Sequence, residues 1–162
     1  NTLSGIRRGD IWVYGPLKEA GKPGSDLIPF HKLSQWLTLS LLEPMQDLGV
    51  NFLDLHLITG LAEYRNGGFM IDSGLLELKK PELAAKPADV GSELVVEWRA
   101  LTVALIDELR KEVCKKTGLR ESEFTVPQLL QGGTWMARRQ IAQEKRANGT
   151  PPLSFRSEGN VF

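Results

Sequence analysis

The chain has 162 residues, enough for one ordinary domain, and 41% are hydrophobic against 25% charged. That balance predicts a packed core and excludes a disordered chain. Lys plus Arg number 20 and Asp plus Glu number 20, so net charge gives no reason to expect nucleic acid or an anionic membrane as partner.

A local basic patch at Arg138, Arg139, Lys145 and Arg146 stays open. No apolar run nears the ~20 residues that span a bilayer. The single cysteine, Cys114, allows no internal disulfide, which favours a reducing, cytoplasmic compartment. It reads as a helix-borne thiol without a role, because no His lies near it in sequence. Asn148-Gly149-Thr150 matches a glycosylation sequon by chance. The chain begins at Asn1 without a Met and reads as part of something longer.

Residues 1–29 are rich in Gly and Pro and read as an irregular arm holding a short extended piece, Ile11 to Tyr14. A helix is expected from Pro29, with Phe30, Leu33, Trp36, Leu37, Leu41 and Met45 on one apolar face, kinked or ended at Pro44 and closed by Gly49. Residues 50–57 suit a strand or a short helix. Gly67-Gly68 reads as a turn, and 69–78 as a small hairpin around Ser73-Gly74. Residues 79–91 read as a linker. Ser92 should cap a long helix running to Lys116 and stopped by Gly118. Its first half is apolar on nearly every face and should be buried. Helices are expected over 125–130 and from Thr134 to Arg146, and a tail hairpin pairs 153–156 with Asn160 to Phe162. The class is mainly α with minor β, residues 30–162 forming the helical core.

Two constellations carry chemistry. Glu97 and Arg99 interrupt the apolar half of the long helix. A buried charge without a partner costs several kcal/mol, and residues two apart point to different sides of a helix. Each must therefore reach outward, to a structural salt bridge or to a ligand. Glu63, Tyr64 and Arg65 stand directly before the two glycines, at a loop edge where binding groups concentrate. There too a structural reading is open, with Glu63 capping backbone amides and Arg65 paired to Glu97. His31, His56, Asp54 and Asp72 lack metal-ligand spacing. Trp12, Trp36, Trp98 and Trp135 suit a core, though one or two could wall a pocket.

At these residues the chain resembles a known family. Pro29-Phe30-His31-Lys32-Leu33-Ser34-Gln35-Trp36-Leu37, Leu61-Ala62-Glu63-Tyr64-Arg65-Asn66-Gly67-Gly68, Glu93 to Thr102 and Gly132-Gly133-Thr134-Trp135 resemble the C-terminal part of the uracil catabolism protein 4 family, also known as domain of unknown function 1688. The ending Ser157 to Phe162 is similar to that family's C-terminus. The resemblance implies that more than half of the full protein precedes Asn1 and would be a partner of this part. It implies a fungal or bacterial pyrimidine-degrading route through a ribosylurea-type intermediate.

A more distant resemblance links Thr59 to Arg65 and Glu97 to Ala100 with the paired LTxxADYR and EIRA segments of queuosine salvage proteins. Those are helical, DNA-glycosylase-like hydrolases of an N-ribosidic bond. Glu63 stands where they have Asp, and Asn66-Gly67-Gly68 departs from their continuation. The resemblances together imply a hydrolase acting on a nucleoside-derived small molecule without metal or other cofactor. Glu63 would be the base or charge stabiliser, with Arg65, Glu97 and Arg99 organising it. Tyr64, Trp98, Trp135 and His31 would bind substrate. Two other readings stand beside it: a non-catalytic ligand-binding or scaffold protein, and a metal-dependent hydrolase using His31, His56 and Asp72.

Overall fold

The computed structural model of the chain describes residues 2–3 and 5–156. It is mainly α with small strand pairs. The arm is more regular than its composition suggests. Strands β1 (Thr2–Leu3) and β2 (Ile6–Arg7) pair antiparallel, and β3 (Ile11–Val13) pairs antiparallel with β4 (Leu27–Pro29), setting Trp12 opposite Ile28. Pro29 thus ends a strand rather than starting a helix.

Helix α1 is Lys32–Asp47. It continues past Pro44, because a proline in the last turn forfeits just one bond, to the Ser40 carbonyl. Gly49 makes the stop at φ +86°. The Val50 N–H bonds to the Met45 carbonyl and the Gly49 N–H to the Gln46 carbonyl, a Schellman closure. The apolar face is present but largely uncovered: Phe30 and Leu42 are buried, while Leu33, Trp36, Leu37 and Leu41 are about half exposed.

A 3-10 turn, Leu55–Leu57, follows. Helix α2, Tyr64–Asp72, replaces the hairpin expected over 69–78. Gly67 and Gly68 lie inside this helix and serve close packing. A Cβ on Gly67 would sit 2.6 Å from Trp98 Nε1 and 2.7 Å from Thr102 Oγ1, and one on Gly68 would sit 3.1 Å from Pro152 Cδ. Each glycine weakens the helix by about 1 kcal/mol relative to Ala, and packing overrides that penalty. The linker at 79–91 holds a 3-10 turn, Pro81–Ala85, and strand β5, Ala88–Asp89.

Helix α3, Glu93–Thr117, is the spine. Ser92 Oγ accepts the Val95 N–H, and Gly118 closes the other end at φ +75°. Its burial is one-sided rather than all round, since Leu101 stays 39% exposed. Three clusters pack along it. Val96 meets Phe30 and Ala62, Val95 and Trp98 meet Leu153, and Ile106 meets Met70, Val126 and Leu129. Each fully buried aliphatic contributes about 1.5–3 kcal/mol.

Helix α4 (Val126–Leu129) is opened by a capping box between Thr125 and Gln128. A π turn, Leu130–Thr134, joins it to α5 (Trp135–Lys145), with the Trp135 N–H reaching the Leu130 carbonyl. Gly132-Gly133 therefore marks a π turn inside one helical run, not a break between two helices. Helices α2 and α5 are clamped by a two-bond Asp72–Arg146 ion pair and by Thr134 Oγ1 donating to Asn66 Oδ1. Strand β6, Phe155–Arg156, pairs parallel with β5. The tail-hairpin partner at 160–162 lies outside the described residues. No helix among those described is long and apolar enough to cross a membrane.

Candidate active site

Between the first turns of α1 and α2 and the run from α4 through α5 lies a cavity of about 380 Å³. Glu63 reaches it from the N-cap of α2, where the backbone is extended at φ −106° and the side chain is 21% exposed. Lys32 comes from the first turn of α1, Arg65 from α2 and Arg138 from α5. Trp36 and Trp135 supply aromatic wall, and Asn66 and Gln131 supply amides. The π turn sits against this cavity, as such irregularities often do at functional sites.

Burial raises the Glu63 carboxyl above its ordinary value. The positive charges of Arg138, Arg65 and Lys32 oppose that shift without cancelling it. Glu63 is thus a carboxylate made more basic by its surroundings while three cations face it. Arg65 Nε lies 3.7 Å from Glu63 Oε1 and donates to the Tyr64 hydroxyl at 2.8 Å. The Arg138 guanidinium lies 5.5 Å from the Trp135 ring centre. Burial lowers its pKa, Glu63 counters, and Arg65 and Arg139 lower it further.

A second cavity, of about 270 Å³, lies against the same wall: Arg65 and Arg138 line both. Tyr64, Arg139 and the segment around Pro151-Pro152 complete it. Tyr64 also packs edge-on against Phe155, ring centres 5.5 Å apart.

Glu97 and Arg99 do not line either cavity. Arg99 is fully buried and grips Asp10 with two bonds, Nη1 to Oδ1 at 2.7 Å and Nη2 to Oδ2 at 2.8 Å. Its guanidinium lies 4.0 Å from the Phe30 ring centre. Asp10 in turn accepts Trp12 Nε1–H at 2.7 Å and the Lys32 backbone N–H at 3.1 Å. Arg99 thus fixes Asp10, and Asp10 fixes the first turn of α1, which carries Lys32 to Glu63. Glu97 points elsewhere, toward Tyr14, whose hydroxyl pKa is raised first by burial and then by the Glu97 charge. The two residues diverge, as their spacing requires, and Arg65 pairs with Glu63 rather than Glu97.

Trp98 is in the core, 4% exposed, and offers no cavity wall. His31 is exposed, in left-handed backbone at φ +47° just before α1, and lines neither cavity. Asp72 is held by Arg146. Among the described residues no three His, Cys, Asp or Glu side chains gather as a metal site would require. A larger cavity of about 610 Å³ near Arg110 and Glu121 holds none of the expected site residues. Its arginine is satisfied by Glu121 and the Phe124 carbonyl.

The whole chain, residues 1–162, matches the family described as "Protein of unknown function (DUF1688)". The chain belongs to this family. It is 37% identical over 184 residues to "Uracil catabolism protein 4" of Lachancea kluyveri, covering 99% of this chain and 41% of that protein. It is also 37% identical over 164 residues to "Protein urg3" of Schizosaccharomyces pombe, covering 99% of this chain and 39% of that protein. The chain therefore spans about two fifths of the length of these relatives. No solved structure matches.

In this DUF1688 chain sequence reasoning did not assign Asp10, Lys32, Asn66, Gln131 and Arg138 to the site. Lys32 lies inside the Pro29-to-Leu37 motif, and Arg138-Arg139 inside the basic patch. Asp10 carried no local signal, because its partners Lys32 and Arg99 are remote in sequence.

Proposed function

We propose that the chain serves uracil catabolism, the role that one relative is named for. We further propose that its cavity hydrolyses the N-ribosidic bond of a ribosylurea-like compound. The observation that carries this reading is Glu63, a desolvated carboxylate of raised basicity facing Lys32, Arg65 and Arg138 in a cavity with aromatic wall.

The chemistry follows from those groups. Water attacks the anomeric carbon as the carbon–nitrogen bond breaks, and its bonding pair goes to the urea nitrogen. Positive charge builds on the ribose ring, and Glu63 stabilises it while taking the proton of the attacking water. That proton is passed to the leaving nitrogen, giving urea and ribose. A guanidinium such as Arg138 can donate to the urea oxygen. Arg99 acts at a distance by positioning α1 through Asp10, so a structural role holds for that residue under any reading.

Full-length protein incubated with ribosylurea, with urea assayed, tests the proposal. Urea release that disappears in Glu63→Gln while its melting temperature is no lower than the parent's supports it. Full activity in that variant overturns it.

A further inference from the structure

The charges around the two cavities do not balance. Lys32, Arg65, Arg138 and Arg139 line them, against Glu63 and Asp72. Asp72 is already neutralised by Arg146. Among the described residues Lys32, Arg138 and Arg139 form no salt bridge. The chain as a whole is neutral, with 20 basic and 20 acidic residues, so this excess is a local concentration. Arg65 and Arg139 depress Arg138 by repulsion, after the larger effect of its burial. Guanidinium groups held together against their own repulsion suit a planar, bidentate grip on a tetrahedral dianion. The second cavity holds three of them, and its one carboxylate is engaged elsewhere.

We propose that the second cavity is a phosphate subsite, taking the phosphate monoester of a sugar phosphate whose reacting carbon lies at Glu63 in the first cavity. The shared wall of Arg65 and Arg138 makes the two cavities adjacent compartments of one site. Arg139, which lines the second cavity alone, is then specific for the phosphate. The placement of the reacting carbon rests on the N-ribosidic reading above, whereas the phosphate grip does not.

Isothermal titration of full-length protein with ribose 5-phosphate, ribose and inorganic phosphate tests it. Ribose 5-phosphate should bind at least about tenfold tighter than ribose, the scale of one charge-assisted contact. Arg139→Gln, a change at an exposed side chain that leaves the core untouched, should remove about tenfold of that advantage and leave ribose binding unchanged. Equal binding of ribose and ribose 5-phosphate overturns the subsite, as does an Arg139→Gln variant that binds ribose 5-phosphate like the parent. Inorganic phosphate binding as tightly as ribose 5-phosphate also overturns it, in favour of a free-anion site. If ribose 5-phosphate binding needs Arg139 but neither ribosylurea nor its phosphate is cleaved, the subsite stands and the N-ribosidic reading falls. If both are cleaved with equal kcat/KM in parent and Arg139→Gln, the reverse holds.

Discussion

Arg99 and Asp10 lie 89 positions apart and meet in two parallel hydrogen bonds of 2.7 and 2.8 Å. The guanidinium is wholly buried and the carboxylate nearly so. Removing one partner strands the other charge, so Arg99→Ala or Asp10→Asn should destabilise by about 3–5 kcal/mol, the range for a broken buried pair. Denaturant melts measure this. Burial alone would raise the Asp10 carboxyl, but hydrogen bonds from Arg99, Trp12 and Lys32, together with the Arg99 charge, bring it below its ordinary value. A depressed acid stabilises the fold fully above its unfolded pKa, and that contribution disappears as pH falls through the folded value. The acid limb of the stability curve should therefore be shallower in Asp10→Asn.

Glu63 has the opposite sign. Its folded pKa is raised, first by burial, so the folded state holds the proton more tightly than the unfolded chain does. Stability falls as pH rises from the ordinary carboxylate value, 4.5, toward the raised one. Glu63→Gln should melt at or above the parent temperature at neutral pH, with the difference vanishing in acid. Its turnover should fall by about 10²–10⁴-fold, the usual contribution of a positioned acid–base group. Thermal melts across pH, run beside urea assays, separate the two effects.

Gly67→Ala places a methyl within 2.7 Å of both Trp98 Nε1 and Thr102 Oγ1. The better helix former should lose, because overpacking costs about 1–3 kcal/mol against a propensity gain of about 1 kcal/mol. Urea unfolding of the variant checks the sign.

Leu33, Trp36, Leu37 and Leu41 leave α1 with a half-exposed apolar face. Such a patch promotes association in water. Light scattering of the isolated chain should show self-association, and the Leu37→Glu, Leu41→Glu double variant should reduce it without lowering the melting temperature.

The long helix α3 was legible because its signals are local. Ser92, Gly118 and the apolar run between them state both ends and the buried stretch within one segment. Helix α2 was not, because Gly67-Gly68 carries the same local mark as a turn, and what excludes a turn is the distant bulk of Trp98 and Thr102. Glu63 and Arg65 could be singled out from their neighbours in sequence. Their companions Lys32 and Arg138 could not, since the fold alone brings α1 and α5 to the same cavity. Arg99 was correctly read as needing a partner, but its identity lay in the arm, where nothing marks Asp10 as special.

The π turn at Leu130–Thr134 has a consequence for how this chain can change. A residue in an α-helix turns the chain by about 100°, and a π turn absorbs one extra residue in a single loop of backbone. Deleting Gly132 or Gly133 would restore an uninterrupted α-helix without breaking the rod. Everything beyond it would keep its facing, because the turn already takes up the rotation of the surplus residue, and Trp135 and Arg138 would still point toward Glu63. One codon would thus remove the wide turn beside the cavity and leave the rest of α5 where it stands.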